Sequence, residues 1–194
     1  MRCLIACEFS GVVRRAFRAK GHDAWSCDVL PAEDGGEHIQ ADVLSVLDSG
    51  WDLMVAHPPC TYLSRAGARW WEVPGRDEKA RQAAEFVHSL ASANIHRIAI
   101  ENPIGQLNRR WRYPDQTIQP WQFGHPYSKA TCLWLKNLPL LKPTEILTEY
   151  EPLVACNRSN RKRAGLPIKG KLSGGLESAR TFDGVAAAMS EQWG

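Results

Sequence analysis

The stretch DLMVAHPPCTYLS, residues 52–64, decides the fold of this chain. Its apolar run, residues 53–56, has the length of a buried strand and stops abruptly at two prolines, Pro58 and Pro59. Proline has no N–H and restricts the residue before it, so the following loop is stiff and extended. The pattern predicts a buried strand that presents the thiol of Cys60 at its carboxyl end, which is where ligands bind in open α/β sheets.

Predicted strands and helices alternate through the first half of the chain. Short apolar runs at 3–7 and 24–27 predict two strands, joined by a helix over 12–20. Residues 77–93 have apolar side chains at spacings of three and four, typical of a helix, and another apolar strand follows at 95–100. This alternation predicts an α/β fold with a doubly wound, mostly parallel sheet.

Length and composition indicate one globular domain over residues 1–194. The chain is long enough to bury a core, and its 44% apolar and 23% charged residues are ordinary for such a domain. We expect a cytoplasmic protein without membrane contact, because Met1 leads into no signal-peptide pattern and no apolar run has membrane-spanning length. The six cysteines include no CxxC pair, so neither a disulfide framework nor a metal site is expected.

Three early strand ends carry residues suited to a nucleotide-like ligand. Gly11 follows the first strand in a turn that leads into a helix, a form that lets backbone approach such a ligand. Asp28 ends the second strand, where an acid commonly binds ribose hydroxyls, although a solvated loop acid fits equally well. A third strand is predicted over 38–41, and Asp42 after it fits the N-cap of a short helix.

The order of these motifs resembles that of the S-adenosylmethionine-dependent DNA cytosine-5 methyltransferases. The matching residues, each at a predicted strand end, are Phe9-Ser10-Gly11, Asp28, Asp42, Pro58-Pro59-Cys60 and Glu101-Asn102. The resemblance covers about 3–135 and returns at 180–193, and it implies a Rossmann-like fold of the class I methyltransferase type. The amino-methyltransferases carry an aromatic residue after the two prolines, so Cys60 favours carbon over nitrogen as the methyl acceptor.

This resemblance implies covalent chemistry on cytosine. Carbon 5 of the ring is a poor nucleophile, so a thiolate must first add at carbon 6, and Cys60 is implied for that step. A carboxyl group with a pKa raised by burial assists at ring nitrogen 3. Glu101 is implied for this role, with Asn102 orienting the neighbouring groups. The alternatives are a buried cysteine in a turn and a capping glutamate.

S-adenosylmethionine is the cofactor that the resemblance implies. The contacts implied at the first turn are Phe9 and Gly11. Asp28 is implied for the ribose, Asp42 for the adenine amino group, and Pro58 for the central loop. The sequence departs from the family's glycine-rich continuation, because residues 12–14 read Val-Val-Arg. Glu8 fits the methionine ammonium group or a plain strand-end charge.

Residues 119–135 resemble the family's substrate strand, with changes. Aligned on Gly124 and Pro126, the family's Gln-x-Arg-x-Arg run becomes Tyr127, Lys129 and Thr131, so a planar bidentate donor is replaced by a point charge and a hydroxyl. Contact with the pyrimidine oxygen then passes to Lys129 or to a residue that the sequence does not identify. The implied substrate contacts on this side of the site are Ser64, Arg65, Lys129 and Thr131.

The DNA enzymes carry a separate target-recognition domain where this chain has only a basic insert at about 142–179. Six cations lie there without an intervening acid: Arg158, Arg161, Lys162, Arg163, Lys169 and Lys171. Together with the basic and aromatic runs at 65–71 and 109–113, these cations predict a surface that follows a phosphate backbone. Arg161 and Arg163 are expected among its phosphate contacts. The alternative is that these segments are solvated or partly buried loops. Low or very short sequence specificity is expected, because few groups remain to contact base edges.

Three functions fit the sequence. The first is cytosine-5 methylation of DNA, duplex or single-stranded, the single strand avoiding the cost of flipping a base. The second is the same chemistry on a free pyrimidine nucleotide or on RNA, since the recognition domain is missing. The third is a nucleic-acid-binding protein that keeps the fold without catalysis. His57, which precedes the two prolines, is expected only to shape the loop.

Overall fold

Nine strands are present in the computed structural model, which describes residues 1–152 and 180–194. Seven form one central sheet, and β7 pairs with β9 in a separate parallel ribbon. In chain order the strands are β1 (Arg2–Ala6), β2 (Asp23–Asp28), β3 (His38–Gln40), β4 (Leu53–Ala56), β5 (Arg97–Pro103), β6 (Gln116–Ile118), β7 (Tyr127–Ser128), β8 (Thr131–Lys136) and β9 (Glu151–Pro152).

The order of strands across the sheet is β3-β2-β1-β4-β5-β8-β6. The first five strands are parallel, and β8 is antiparallel to both of its neighbours. The chain therefore proceeds outward from β1 in one direction and from β4 in the other. Ligands bind at such a reversal point, outside the carboxyl ends of the strands, and here that position lies between the ends of β1 and β4.

Helices cover both faces of the sheet, as the continuous burial of β1 and β4 requires. The helices are α1 (Val12–Ala19), α2 (Arg76–Ala91), α3 (Leu107–Arg110) and α4 (Asp183–Trp193). Ile5 and Val55 face α1 and α4, whereas Leu4 and Met54 face α2 on the other side. The predicted doubly wound, mostly parallel sheet is confirmed.

One strand boundary differs from the prediction in a way that matters for the site. The strand expected at 95–100 is β5, Arg97–Pro103, because it pairs with antiparallel β8 up to its last residue. Glu101 and Asn102 therefore lie inside the strand, opposite Leu133 and Cys132, and not in a loop after it. A paired strand holds these two side chains in fixed directions.

Three further expectations concern the basic insert, a membrane span and a metal site. The part of the basic insert beyond residue 152, with Arg161 and Arg163, lies outside the described residues. Within the described ranges, no helix is long and apolar enough to cross a membrane. The same ranges contain no group of three or more side chains that could together hold a metal ion.

Candidate active site

The loop that carries Cys60 is hydrogen-bonded to the segment that follows β5. The Gln106 N–H donates to the carbonyl of Leu63 at 2.7 Å, and the Arg65 N–H donates to the carbonyl of Ile104 at 2.9 Å. Gly105 lies between these bonds, where any Cβ would overlap the Leu63 carbonyl. The two segments therefore fix each other's position at the carboxyl edge of the sheet.

Asn102 fixes the beginning of the same loop. Its side chain is buried, and Nδ2 donates to the carbonyl of Pro58 at 2.8 Å. The N–H of His57 donates to the Ala6 carbonyl of β1 at 2.9 Å. The orienting role predicted for Asn102 thus has a definite partner, the backbone just before Cys60.

The Cys60 thiol is half-buried beside charges of both signs. Burial raises the pKa of Cys60, the negative charge of Glu101 raises it further, and the ammonium group of Lys129 opposes both. The free protein therefore holds Cys60 as a thiol at neutral pH. Glu101 and Lys129 therefore lie close enough to Cys60 for their charges to act on its thiol.

Glu101 has a partner that the sequence prediction missed. Its Oε2 lies 2.8 Å from Nδ1 of His57, and the side chains are only 17% and 9% exposed respectively. Burial raises the pKa of Glu101, but the hydrogen bond and charge of His57, helped by Lys129, outweigh burial and leave the pKa below its usual value. The predicted raised pKa is therefore wrong, because a buried partner stabilises the carboxylate.

His57 itself does more than shape the loop. Ala56 lies opposite Ile100 in the parallel register of β4 and β5, so the residues that follow, His57 and Glu101, come side by side. Both are the first polar residue after an apolar run, which is the sequence signal that would have revealed the pair. Their 44-residue separation concealed it.

A cleft opens next to Glu101. The antiparallel register places Thr131, at the start of β8, opposite Pro103 at the end of β5. The other side of the cleft is the segment before α4, part of the stretch 180–193 where the resemblance returns and where the sequence assigned no side chains. The lining residues are Glu101, Ile118, Pro120, Lys129, Thr131, Arg180, Thr181, Phe182 and Val185.

Glu8, at the first turn, caps a helix. Its buried carboxylate accepts from the N–H groups of Val13 at 2.7 Å and Arg14 at 3.2 Å, which are unpaired donors of the first turn of α1. Gly11 precedes the helix with φ 71°, in the left-handed region that favours glycine. Glu8 therefore has a structural partner of its own, which accounts for an acid beside this turn.

Asp28 ends β2 and Asp42 follows β3, and both carboxylates act on Cys7 at the end of β1, the position expected for cofactor contacts. Burial raises the pKa of the Cys7 thiol to about 12, and the charges of both carboxylates contribute. One oxygen of Asp28 accepts from the Leu30 N–H at 2.9 Å, and one of Asp42 accepts from the Leu44 N–H at 3.0 Å, the predicted cap of a short 3₁₀ helix. Each carboxylate has a second oxygen that can accept a ligand's hydroxyl or amino group.

Arg14 explains the departure from the family's glycine-rich turn. Its guanidinium is buried and donates to Ser26 Oγ at 2.9 Å and to the Glu37 carbonyl at 3.3 Å, and it forms an ion pair with Asp34. A Cβ at Gly11 would lie 2.6 Å from this group. Arg14 thus connects the segment between β2 and β3 to the first turn of α1.

We expect Arg14→Met to destabilise the protein by about 3 kcal/mol, because removal of one member of a buried ion pair leaves unsatisfied polar groups. Arg15→Met is the matched control: Arg15 pairs with the same Asp34, but its side chain is 51% exposed, so we expect less than about 1 kcal/mol. Urea denaturation measures both. Equal losses for the two variants would contradict the anchoring role of Arg14.

The predicted basic and aromatic runs differ in their surroundings. Segment 109–113 is largely occupied: Arg110 forms an ion pair with Asp77, Arg112 with Asp115, and Trp111 stacks on Trp134. That run is therefore mostly part of the protein's own packing and forms little of a phosphate-binding surface.

The run beside Cys60 is more open to a ligand. Arg65–Trp70 is a 3₁₀ helix, capped by the Ser64 Oγ, which accepts from the Ala66 N–H at 3.1 Å. Trp70 is half-exposed with the guanidinium of Arg69 over its ring. The Ser64 N–H donates to the Cys60 carbonyl at 2.8 Å, so Ser64 and Arg65 directly follow the loop that carries the thiol.

No protein-family model matches the sequence, and no curated protein matches it. Among solved structures, the chain is similar to a protein described as a DNA modification methyltransferase encoded within a prophage (E. coli), with 14% identity, a TM-score of 0.48, and coverage of 75% of this chain and 51% of that one. It is also similar to the S. pombe Dnmt2 methyltransferase, with 16% identity, a TM-score of 0.48, and coverage of 78% and 52%. A third is the 16S rRNA methylase RmtB, at 15% identity, a TM-score of 0.36, and coverage of 69% and 54%.

The strand order of the sheet, with parallel β1 to β5 and antiparallel β8, is that of a Rossmann-like, doubly wound α/β fold. The chain spans about half the length of these neighbours.

Proposed function

We propose that this chain is a cytoplasmic methyltransferase that uses S-adenosylmethionine to methylate carbon 5 of cytosine in DNA, through a covalent bond to Cys60. One observation carries the proposal: the hydrogen-bonded junction between the Cys60 loop and the end of β5. It gathers a thiol, a carboxylate and an ammonium group at the edge of the sheet where ligands bind. That combination suits nucleophilic addition to a pyrimidine ring.

Three side chains, Cys60, Glu101 and Lys129, have separate roles in the proposed reaction. Cys60 loses its thiol proton to solvent and bonds to carbon 6 of the ring, while Glu101 contacts ring nitrogen 3, which becomes more basic as the adduct forms. Lys129 stabilises the developing negative charge, taking the place of the family's arginine. After methyl transfer, carbon 5 loses its proton, the Cys60 sulfur leaves, and the aromatic ring is restored.

The end of β1 fits the cofactor. Gly11 permits close approach of the backbone, and Asp28 and Asp42 offer carboxylate oxygens to the ribose hydroxyls and the adenine amino group. Phe9 and Pro58 complete the proposed contacts. When bound there, S-adenosylmethionine supplies an electrophilic methyl group.

The proposed partner is DNA, bound by Arg65, Arg161 and Arg163 through its phosphates, with Ser64 and Thr131 near the target base. The basic insert offers few side chains that could contact base edges, so the proposed specificity is low or limited to a very short sequence. A single strand is the less costly substrate, because its bases need not be extruded from a duplex.

A parallel assay tests the proposal. Tritiated methyl transfer is measured with single-stranded DNA, duplex DNA, RNA and dCMP, and we expect the largest incorporation in single-stranded DNA. Transfer only to RNA or to dCMP would keep the chemistry and change the substrate. Absence of cofactor binding by calorimetry at millimolar S-adenosylmethionine, in a folded sample, would overturn the enzymatic proposal and leave a non-catalytic nucleic-acid-binding protein.

A further inference from the structure

The imidazole of His57 is buried at the centre of the site, and the proposed reaction as written leaves it unused. Nδ1 is bonded to Glu101, while Nε2 is buried and makes no hydrogen bond within the described residues. A buried ring nitrogen without a partner is costly unless it serves a ligand or a reaction. The backbone of His57 is also held by Ala6, so the ring cannot move far from Glu101.

The charges around this ring favour its protonated form. Two acids act on it, Glu101 from β5 and Glu8 from the end of β1, and one base, Lys129 from the segment before β8. Burial lowers the pKa of His57, but the hydrogen bond and charge of Glu101, with Glu8, outweigh burial and raise it above its ordinary value. The resting pair is therefore an imidazolium and a carboxylate, with one proton held next to the reacting base.

Cysteine addition requires such a proton. Ring nitrogen 3 must take one up, or share one, as sulfur bonds to carbon 6, and an ionised Glu101 has none of its own to give. We propose that His57 is a positioning residue that supplies, through Glu101, the proton taken up by ring nitrogen 3. This inference rests on the cytosine chemistry proposed above.

The step balances in protons and electrons once the Cys60 thiol has released its own proton to solvent. The proton moves from His57 Nδ1 to Glu101 Oε2, and a half-turn of the carboxyl group presents it to ring nitrogen 3. As the Cys60 thiolate forms its bond to carbon 6, the electron pair of the 5,6 double bond shifts into the ring and nitrogen 3 accepts the proton. His57 is then neutral and Glu101 is again a carboxylate. Elimination of Cys60 returns the proton by the same path.

The test isolates addition from methyl transfer. Poly(dC) and poly(C) tritiated at carbon 5 are incubated with the full chain without cofactor, and tritium release to water reports reversible addition of Cys60. His57→Asn keeps an N–H donor toward Glu101 but carries no proton to release. We expect its release rate to be about 10²-fold below wild type at neutral pH. The deficit should shrink at acid pH, where Glu101 takes its proton from solvent.

His96→Asn, an exposed histidine just before β5, is the matched control and should behave as wild type. NMR titration of the His57 ring in the wild type and in Glu101→Gln gives a second measurement that does not depend on the folding of His57→Asn. Its pKa should fall in Glu101→Gln. A His57→Asn deficit equal at every pH, no deficit at all, or an unchanged His57 titration would overturn the inference alone. No tritium release by folded wild type from either polymer would instead overturn the proposed Cys60 chemistry, and this inference with it.

Discussion

Cys60→Ala is expected to abolish methyl transfer, with a loss on the order of 10⁴-fold or more, because the proposed covalent step passes through this thiol. The variant should fold normally, since the Cys60 side chain is only half-buried and the loop is held by the bonds of Leu63 and Arg65. Tritiated methyl transfer measures the loss, and thermal unfolding verifies the fold. Full activity in this variant would show that the covalent mechanism is wrong.

A matched cysteine makes the result specific. Cys3→Ala is the same chemical change in the amino-terminal half of β1, where the side chain is fully buried. We expect it to reduce stability modestly and to leave methyl transfer unchanged. DNA containing 5-fluorocytosine adds direct evidence: after methyl transfer, fluorine at carbon 5 cannot leave as a proton does. Wild type and Cys3→Ala should therefore form an adduct that survives denaturing electrophoresis, and Cys60→Ala should form none.

The strand β4 and the turn before α1 could be predicted from the sequence, because residues within each segment determine them. Four apolar residues followed by Pro58 and Pro59 define β4 and its stiff exit, and Gly11 marks the left-handed turn before α1. Since parallel strands end at one edge, Cys60 and Glu101 were expected to be neighbours, and the structure agrees. These predictions needed only the pattern of each segment and the rule for where such sheets bind ligands.

Pairing between distant segments could not be predicted in the same way. The register of β4 on β5 joins His57 to Glu101, and the extension of β5 along β8 places Glu101 inside a strand. From the sequence alone Gly105 is an ordinary loop glycine. In the structure the Leu63 carbonyl leaves no room for a Cβ at this position. Charge runs mislead for the same reason: whether Arg110 meets solvent or Asp77 depends on packing between α2 and α3.

Glu101→Gln is expected to lower methyl transfer by about 10²- to 10⁴-fold, the range for loss of a group that transfers protons. Glutamine can still accept a hydrogen bond from His57, so the fold should persist, yet it can neither take up nor pass on a proton. Glu85→Gln, an exposed change on α2, is the control and should leave transfer unaltered. Transfer rates and melting temperatures of the three proteins provide the comparison.

The same variant should make Cys60 more reactive while it makes the enzyme slower. Burial is the larger cause of the raised pKa of Cys60, but the charge of Glu101 adds to it, so its removal lowers that pKa and increases the thiolate fraction at neutral pH. Alkylation of Cys60 by iodoacetamide should accordingly be faster in Glu101→Gln than in wild type. An unchanged alkylation rate in Glu101→Gln would contradict the electrostatic effect of Glu101 on this thiol. Opposite changes in the two rates would mean that the carboxylate restrains the thiol in the free protein and assists the base in the complex.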